Sequence, residues 1–364
     1  MKIARADIFK KTFSLAYTSA VAYGAEEHPE NIFLRLQTDE GLTAWGCAAP
    51  DEAVTGETPQ TVADFLHNIA IPALLDSDPL SFDRHAFTKT HIANPAACAA
   101  VSMALWDLMG KIRRQPLYQL LGGSLRPLPT SYTVSLIPIE RALAQARRAL
   151  LRGFKILKIK LGEGVEKDAG RIDAIRRLAG SAILFRLDAN QAYNPSETLD
   201  LLNHIDCAGI QFIEQPSPRG DINAMRRIAA ASPVPVMADE SVLNSADIRR
   251  VIAAQAAPLI NIKLMKCGGI GEALAMDALC AEAGIGTMVG CMDESALAIS
   301  AGLHLALSMK SLRFIDLDGH FDITNDPAAD SPHFADGCLV PSSAPGIGAS
   351  LLESAFGGHS IQTP

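Results

Sequence analysis

The sequence predicts an α/β protein, a TIM-like (β/α)8 barrel that carries an N-terminal α+β capping domain. From Ser131 onward, short apolar strands alternate with amphipathic helices at steps of roughly 25 to 30 residues, the pattern of a parallel barrel. Before Ser131 the pattern is mixed, with alternating strands and longer helices. A chain of 364 residues has room for a barrel and a smaller domain.

The first third of the chain predicts the capping domain, which we place at residues 1–125. Asn31–Thr38 alternates between apolar and polar residues like a strand, and a turn connects it to a second strand over Leu42–Ala48. Helices are predicted over Thr58–Leu75 and Pro95–Lys111, because apolar residues recur there at helical spacing.

Residues 126–320 are predicted to form the barrel. Residues 321–364, rich in Gly, Pro and Ser, are expected to return to the capping domain and complete it. The eight predicted strands are Ser131–Leu136, Ile156–Leu161, Ile183–Ala189, Ile210–Pro216, Val234–Glu240, Leu259–Lys266, Ile285–Cys291 and Arg313–Gly319.

Composition excludes several classes of partner. The formal net charge is −8 and no block of like charges occurs, so we expect binding to neither nucleic acid nor a membrane. The seven cysteines are scattered and never spaced C-x-x-C, which favours reduced thiols in the cytoplasm over disulfides or a zinc site. We find no signal-peptide pattern and no apolar run of about 18 residues.

Six of the eight predicted strands end in charged residues, on the rim where such barrels carry their active sites. Asp188, Glu214 and Asp239 come from three adjacent strands. Three carboxylates without a neighbouring His or Cys suit Mg²⁺ and disfavour Zn²⁺. Any one of these acids alone would be explained by a helix cap or a salt bridge.

Two further polar residues are expected to support these ligands from behind. Glu240 follows Asp239 directly, so strand alternation points the two side chains in opposite directions. Asn190 stands two residues after Asp188.

Lys160 and Lys263 lie on the second and sixth strands, nearly opposite across the barrel mouth. A substrate carbon held between them would lose a proton to one and regain it from the other. A lysine acts as a base near neutral pH only if its pKa falls, which a nearby cation such as Lys158 would favour. Lys158 and a metal ion would also share the charge of an enolate.

These residues stand in motifs that resemble the muconate-lactonising branch of the enolase superfamily. The matching motifs are K-x-K, D-A-N, E-Q-P, A-D-E-S and N-I-K-L-M-K-C-G-G, which follow one another at the predicted strand ends. The resemblance covers nearly the whole chain and implies one Mg²⁺ per subunit and a small-molecule substrate. A homo-oligomer is also expected.

Within that branch, the sequence resembles the dipeptide epimerases, which include the L-Ala-D/L-Glu epimerases. The resemblance rests on Gly290-Cys291-Met292-Asp293-Glu294-Ser295 and on the D-x-D pair at Asp316 and Asp318. It implies 1,1-proton transfer at the α-carbon of the C-terminal residue by two lysines, with Asp316 and Asp318 binding the α-ammonium group. The other substrate-binding residues it implies are Thr133, Lys158, Cys291, Asp293 and Asp51.

The sequence departs from the Ala-Glu epimerases in the segment expected to close over the substrate. Tyr17–Asn31 contains acidic residues but no arginine. The Ala-Glu epimerases have an arginine in this segment that binds the distal carboxylate of the substrate. Asp51, Glu52 and Asp293 add further acids, so we expect a preference for cationic dipeptides. The simpler alternative is that Asp51 and Glu52 are solvated and that Asp293 caps a helix.

Three alternatives remain. An N-succinylamino acid racemase or another muconate-lactonising-type enzyme would share the scaffold, although Asp316 and Asp318 argue against an acylated substrate nitrogen. Sugar-acid dehydration typically uses a His–Asp base where this sequence has Lys263. A barrel that binds carboxylates without catalysis would have no need for two opposed lysines.

Overall fold

The computed structural model describes residues 1–329 and 331–356. The N-terminal part begins with an antiparallel sheet of order β1-β4-β5, against which a long helix packs. A small hairpin, β2–β3, projects between the first two of these sheet strands in the chain. The strands are β1 (Ile3–Thr12), β2 (Ser19–Val21), β3 (Gly24–Glu26), β4 (Glu30–Thr38) and β5 (Thr43–Ala48).

Six helices follow this sheet, and the longest of them, α5, covers β5. α5 can approach β5 closely because residue 46 is a glycine. A Cβ at this position would lie 1.9 Å from the carbonyl oxygen of Ala100. The helices are α1 (Glu52–Thr55), α2 (Pro59–Phe65), α3 (Ile71–Leu74), α4 (Arg84–Thr90), α5 (Pro95–Arg113) and α6 (Leu117–Leu120), with a π-helical segment at Leu66–Ala70.

The barrel is a parallel sheet of eight strands in sequential order, β7 to β14. An isolated parallel bridge between Thr130 and Ile315 joins its two edges. After the short strand β6 (Leu128–Pro129) come β7 (Tyr132–Val134), β8 (Ile156–Lys160), β9 (Leu184–Asp188), β10 (Ile210–Glu214), β11 (Val236–Ala238), β12 (Leu259–Lys263), β13 (Gly286–Gly290) and β14 (Leu312–Asp316).

Helices between the strands cover the barrel, and local sequence signals fix where they begin. Asn194 caps α9 in a capping box with Glu197, and the side chains of Asp221 and Asn244 cap α10 and α11. No helix in the described ranges is long and apolar enough to cross a membrane. The helices are α7 (Ile139–Leu151), α8 (Val165–Ala179), α9 (Pro195–His204), α10 (Ile222–Ala231), α11 (Ser245–Ala254), α12 (Leu264–Cys267), α13 (Ile270–Ala283) and α14 (Ala296–Ala306).

The predicted barrel is confirmed, and each of its eight strands is shorter than predicted. The sixth strand ends at Lys263 rather than Lys266, because Leu264–Cys267 turns into the helical segment α12 that stops at Gly268 with φ +84°. The predicted helix over Thr58–Leu75 is interrupted by the π-helical segment.

The C-terminal residues return to the N-terminal sheet. The ring of Phe356 packs on Phe9, Trp45 and Phe33 at centroid distances of 5.0, 5.8 and 5.1 Å. The last elements are β15 (Ala328–Ala329), β16 (His333–Ala335), β17 (Cys338–Val340), which pairs with β6, and β18 (Ser350–Leu351), followed by a 3-10 helix at Glu353–Phe356. The boundaries at residues 125 and 320 stay predictions.

Candidate active site

A cavity of about 850 Å³ lies between the barrel mouth and the N-terminal part. The hairpin β2–β3 and the loop around α1 form its roof, and the strand ends form its floor. Ten predicted site residues line it: Asp51, Thr133, Lys158, Lys160, Asn190, Lys263, Cys291, Asp293, Asp316 and Asp318.

The other four predicted residues, Asp188, Glu214, Asp239 and Glu240, lie just beneath this lining and are at most 3 % exposed. The first two converge on one ammonium group. Lys158 Nζ lies 3.0 Å from Asp188 Oδ2 and 2.8 Å from Glu214 Oε2. Asp188 and Glu214 are paired in the register of β9 and β10, so neighbouring strand ends bring them together.

Asp239 follows β11 and contacts two lysines from the next strand region. Its Oδ2 lies 2.9 Å from Lys263 Nζ, and its Oδ1 accepts a hydrogen bond from Lys266 Nζ. Lys266 also donates to the carbonyl oxygens of Asp239 and Asn261, at 2.6 and 3.0 Å. The structure therefore adds a buried lysine that the sequence did not single out.

Lys160 lies on the opposite side of the carboxylates from Lys263. Its Nζ donates to Asp188 Oδ2 at 2.8 Å and to Asn190 Oδ1 at 3.0 Å. The amide of Asn190 in turn donates to Glu240 Oε1 at 3.0 Å. Asn190 thus links Lys160 to Glu240, and the supporting roles of Asn190 and Glu240 stay predictions.

The two members of the D-x-D pair have different surroundings. Asp316 ends β14 and accepts hydrogen bonds from Lys158 Nζ, at 2.7 Å, and from Ser131 Oγ. Asp318 Oδ2 accepts from the backbone N–H of Thr133 at 2.6 Å, and Cys291 Sγ lies 3.8 Å from its Oδ1. Asp316 is held in an ion pair, whereas the hydrogen bonds that Asp318 accepts within the described ranges come from neutral donors.

Burial and neighbouring charges raise the pKa of some of these carboxyl groups and lower that of others. Burial and the charge of Asp316 raise the pKa of Asp318 to about 7. Burial likewise raises the pKa of Glu240 to about 7 and that of Glu214 to about 8. For Asp239 burial acts in the same direction, but Lys263 and Lys266 outweigh it and lower its pKa.

The expected net lowering of a lysine pKa is not found at Lys263. Burial and the nearby Lys158 do lower it. Ion pairing with Asp239, aided by Glu214 and Glu240, outweighs both and holds the pKa of Lys263 well above its ordinary value. A second cation bound to Asp239 would weaken this ion pair and make it easier for Lys263 to lose its proton.

A polar contact joins the two parts of the roof to each other. Tyr23, at the tip of the hairpin, donates a hydrogen bond to Asp51 Oδ2 at 3.2 Å, and Asp51 also caps α1. The helix near Asp293 begins only at Ala296, with Ser295 as its cap. Asp293 therefore does not cap that helix, and its side chain faces the cavity.

The donor set fits a hard divalent cation. Oε2 of Glu214 and Oδ2 of Asp239 are buried and accept no hydrogen bond of good geometry. In the described part of the chain no three acidic, His or Cys groups stand close enough to hold a metal ion directly. Lys158 Nζ and Lys263 Nζ lie against these two oxygens, at 2.8 and 2.9 Å.

Three residues with site contacts were missed at the sequence level. Asn261 precedes Lys263 by two positions, so both face the barrel interior, and its Nδ2 donates to Glu214 Oε1 at 2.7 Å. The alternation that relates Lys158 to Lys160 would have indicated it. Lys266 and Tyr23 gave no such signal, because one lies in a helical turn and the other in a hairpin that the sequence did not predict.

Comparison with protein families agrees with this arrangement. Residues 141–355 match the family described as enolase C-terminal domain-like, and residues 4–122 match the mandelate racemase / muconate lactonizing enzyme N-terminal domain. The chain belongs to the mandelate racemase / muconate lactonizing enzyme family of the enolase superfamily.

Relatives within this family include enzymes with different substrates. The chain is 38 % identical to an L-Lys-D/L-Arg epimerase of Methylococcus capsulatus, over 96 % of this chain and 99 % of the relative. It is 33 % identical to an N-succinyl-L-Arg/Lys racemase of Bacillus cereus, over 97 % and 96 %.

Two solved structures of family members are also similar. The dipeptide epimerase of Methylococcus capsulatus, in complex with Mg and the dipeptide L-Arg-D-Lys, has a TM-score of 0.90 and 36 % identity, covering 96 % of this chain and 99 % of the other. A substrate-liganded complex of the L-Ala-D/L-Glu epimerase from Bacillus subtilis has a TM-score of 0.92 and 34 % identity, covering 96 % and 100 %.

Proposed function

We propose that this protein is a Mg²⁺-dependent dipeptide epimerase that moves the α-proton of the C-terminal residue by a two-lysine mechanism. The observation that carries the proposal is the placement of Lys160 and Lys263. Their strands, β8 and β12, are four positions apart in a closed sheet of eight, so the lysines face each other across the cavity. Each contacts one of the three buried carboxylates.

The two lysines would act on opposite faces of the substrate α-carbon. A neutral lysine takes the proton from one face, and the ammonium group of the other returns a proton to the opposite face. Lys158 would donate a hydrogen bond to the substrate carboxylate as it gains enolate charge. Mg²⁺, held by Asp188, Glu214 and Asp239, would supply further positive charge beside that carboxylate.

The D-x-D pair would recognise the free α-ammonium group of the dipeptide. Asp318 lines the cavity and accepts only neutral hydrogen bonds, so it has room for a cationic partner. An ammonium group would favour its charged form and strengthen the bond. An N-acylated amino acid would offer no such charge, which disfavours the racemase alternative.

The test is a dipeptide library incubated with enzyme and Mg²⁺ in D₂O. A dipeptide epimerase gives a mass increase of one deuterium at the α-carbon together with the second epimer, and exhaustive EDTA treatment abolishes both. Preference for N-succinylamino acids over free dipeptides would support the racemase instead. The expected homo-oligomer would be tested separately by light scattering.

For the substrate side chains we propose a cationic preference. Asp51 and Asp293 both line the cavity, and Glu26 of the hairpin lies near enough to raise the pKa of Asp293 further after burial has raised it. Carboxylates in this position attract Lys or Arg side chains and repel Glu, so the selectivity acts in both directions.

The preference is tested by comparing kcat/KM for L-Arg-L-Lys, L-Ala-L-Leu and L-Ala-L-Glu. We expect the cationic dipeptide to lead by about tenfold to a hundredfold, and Asp293→Leu to shrink that lead. If L-Ala-L-Glu is the best substrate, or if Asp293→Leu leaves the ranking unchanged, the cationic preference is wrong while the epimerase proposal stands.

A further inference from the structure

The three buried carboxylates share a pattern of hydrogen bonding. In each, one oxygen accepts a hydrogen bond from a donor other than the lysines that contact the second oxygen. Oδ1 of Asp188 accepts from the backbone N–H of Asn190 at 3.1 Å. Oε1 of Glu214 accepts from Asn261 Nδ2 at 2.7 Å, and Oδ1 of Asp239 accepts from Lys266 Nζ.

The second oxygen of each carboxylate faces the catalytic lysines. Oδ2 of Asp188 and Oε2 of Glu214 lie 3.0 and 2.8 Å from Lys158 Nζ, and Oδ2 of Asp239 lies 2.9 Å from Lys263 Nζ. Two of these three oxygens, those of Glu214 and Asp239, are buried without a hydrogen bond of good geometry. One oxygen of each acid is thus fixed by a separate donor, and the other faces a lysine ammonium group.

We propose that Asn261 and Lys266 are positioning residues that fix Glu214 and Asp239 so that each presents a single oxygen to the metal ion. This inference rests on the proposed Mg²⁺ site. A carboxylate that is free to rotate would lose orientational entropy on binding the metal ion and could turn its oxygens away. The hydrogen-bond donors restrict this rotation before the metal ion binds, so less entropy is lost on binding. Lys266 also donates to the carbonyl of Asn261, which links the two positioning residues.

The neighbouring strand makes the position of Asn261 depend on a glycine. A Cβ on Gly290 would lie 2.5 Å from Oδ1 and 2.7 Å from Nδ2 of Asn261. Such distances are far below van der Waals contact, and Asn261 is fully buried, so its short side chain has no open space to enter. Gly290 is therefore needed for the hydrogen bond from Asn261 to Glu214.

Asn261 is the better residue to test, because it is uncharged and its loss leaves the net charge of the site unchanged. The experiment measures Mn²⁺ binding to the purified, metal-free full chain by calorimetry and by electron paramagnetic resonance. The variants are Asn261→Ala, Gly290→Ala and the double variant. The matched control is Gly271→Ala, whose Cβ would meet nothing within 4 Å.

We expect Asn261→Ala and Gly290→Ala each to raise the Kd for Mn²⁺ by about tenfold or more. In the Asn261→Ala background, Gly290→Ala should add little, because the shortened side chain leaves room for the new methyl group. Gly271→Ala should bind like the wild type. Activity measured against Mg²⁺ concentration should shift in parallel and recover at saturating Mg²⁺.

Three outcomes overturn the inference. Unchanged Mn²⁺ affinity in folded Asn261→Ala or Gly290→Ala would show that Asn261 does not position Glu214. Additive effects in the double variant would show that Gly290 acts independently of Asn261. A wild-type protein that binds no Mn²⁺ would remove the metal site itself, and with it both this inference and the metal-dependent part of the proposed function. If Asn261→Ala fails to fold, Gly290→Ala alone still decides the first point.

Discussion

Each of the two opposed lysines carries a charge that is tied to a carboxylate. Lys160 contacts Asp188 and Lys263 contacts Asp239, at 2.8 and 2.9 Å. A cation that neutralised Asp239 would weaken its ion pair with Lys263 and favour the neutral, basic form of that lysine. If Asp239 holds the proposed metal ion, metal loading and proton transfer at Lys263 are expected to rise together.

Replacing either lysine should separate proton exchange from epimerisation. We expect Lys160→Ala and Lys263→Ala each to abolish epimerisation of a dipeptide, because one face of the α-carbon loses its proton carrier. Each variant should still exchange the α-proton of one epimer with D₂O, and the two variants should differ in which epimer exchanges. NMR spectroscopy in D₂O measures both rates. Lys167→Ala, on the exposed face of α8, is the control, and near wild-type epimerisation by either active-site variant would refute the two-base mechanism.

Asp318 should give the enzyme a pH dependence in the neutral range. Its pKa of about 7 means that the carboxyl group is mostly neutral below that pH and charged above it. Since only the charged form pairs with an ammonium group, kcat/KM for dipeptides should rise as the pH rises through about 7. Asp318→Asn should lose this rise and raise KM by about tenfold to a hundredfold, a charge-assisted bond being worth about 1.5–3 kcal/mol.

Glu240 and Glu294 also have pKa values near 7, so the diagnostic measurement is the change between wild type and Asp318→Asn. A pH profile that is identical in the two proteins would exclude Asp318 as the ammonium site.

Among the elements, the barrel strands were predictable because parallel strands buried on both faces form continuous apolar runs. Their polar ends, including Asp188 and Glu214, followed directly. The first strand was not predicted, because a register shift between Ile3 and Arg5 breaks its alternation. The hairpin was missed because its strands have only three residues each and lie in a polar segment. The position of a donor such as Lys266 next to Asp239 is set by tertiary packing, and the hydrophobic periodicity of the sequence does not predict it.

The hairpin β2–β3 reaches the barrel at two points. The carbonyl of Ala20 accepts a hydrogen bond from the N–H of Leu136 at 2.8 Å. Ala22, at the hairpin turn, lies over Gly162, where an added Cβ would come within 2.7 Å of the Ala22 methyl group. Gly162 lies two residues after Lys160, which ends β8. The hairpin therefore packs on the loop that follows the strand carrying Lys160.

Gly162→Ala should therefore lift the hairpin and open the roof of the cavity. Gly162 also has φ +138°, which an alanine adopts only with strain. We expect KM for dipeptides to rise by about tenfold, since the roof excludes water and completes the site, and limited proteolysis to cut within residues 19–26 faster. Gly170→Ala, a position with open space around it, is the control. Unchanged KM and proteolysis would show that the hairpin does not depend on this contact.

At the scale of the whole molecule, the candidate active site is assembled from two parts of the chain that enclose one cavity. The barrel supplies the charged floor, and the N-terminal part supplies the roof with Tyr23 and Asp51. The C-terminal residues fasten this N-terminal part, because the ring of Phe356 packs against both Phe9 and Trp45.

Phe356→Ala should lower the stability of the N-terminal part more than that of the barrel. Phe356 is 7 % exposed and contacts three aromatic rings, so its loss should cost about 3–5 kcal/mol. Urea unfolding followed by tryptophan fluorescence reports on this region through Trp45, and circular dichroism reports on the whole fold. Phe82→Ala, which truncates an aromatic ring in another part of the N-terminal region, is the comparison. Equal unfolding midpoints for wild type and Phe356→Ala would contradict the predicted role.

The contact between the two distant ends of the described chain constrains the order of events during synthesis. Arg35 binds Glu353 across 318 residues of sequence, and Phe356 closes the aromatic cluster next to it. A ribosome that has made the first sheet must still translate the entire barrel before this sheet receives its last partners. Until then the nascent N-terminal part lacks the ring of Phe356 against Trp45 and Phe9. A holdase chaperone would find the most exposed apolar surface on the nascent chain during this interval.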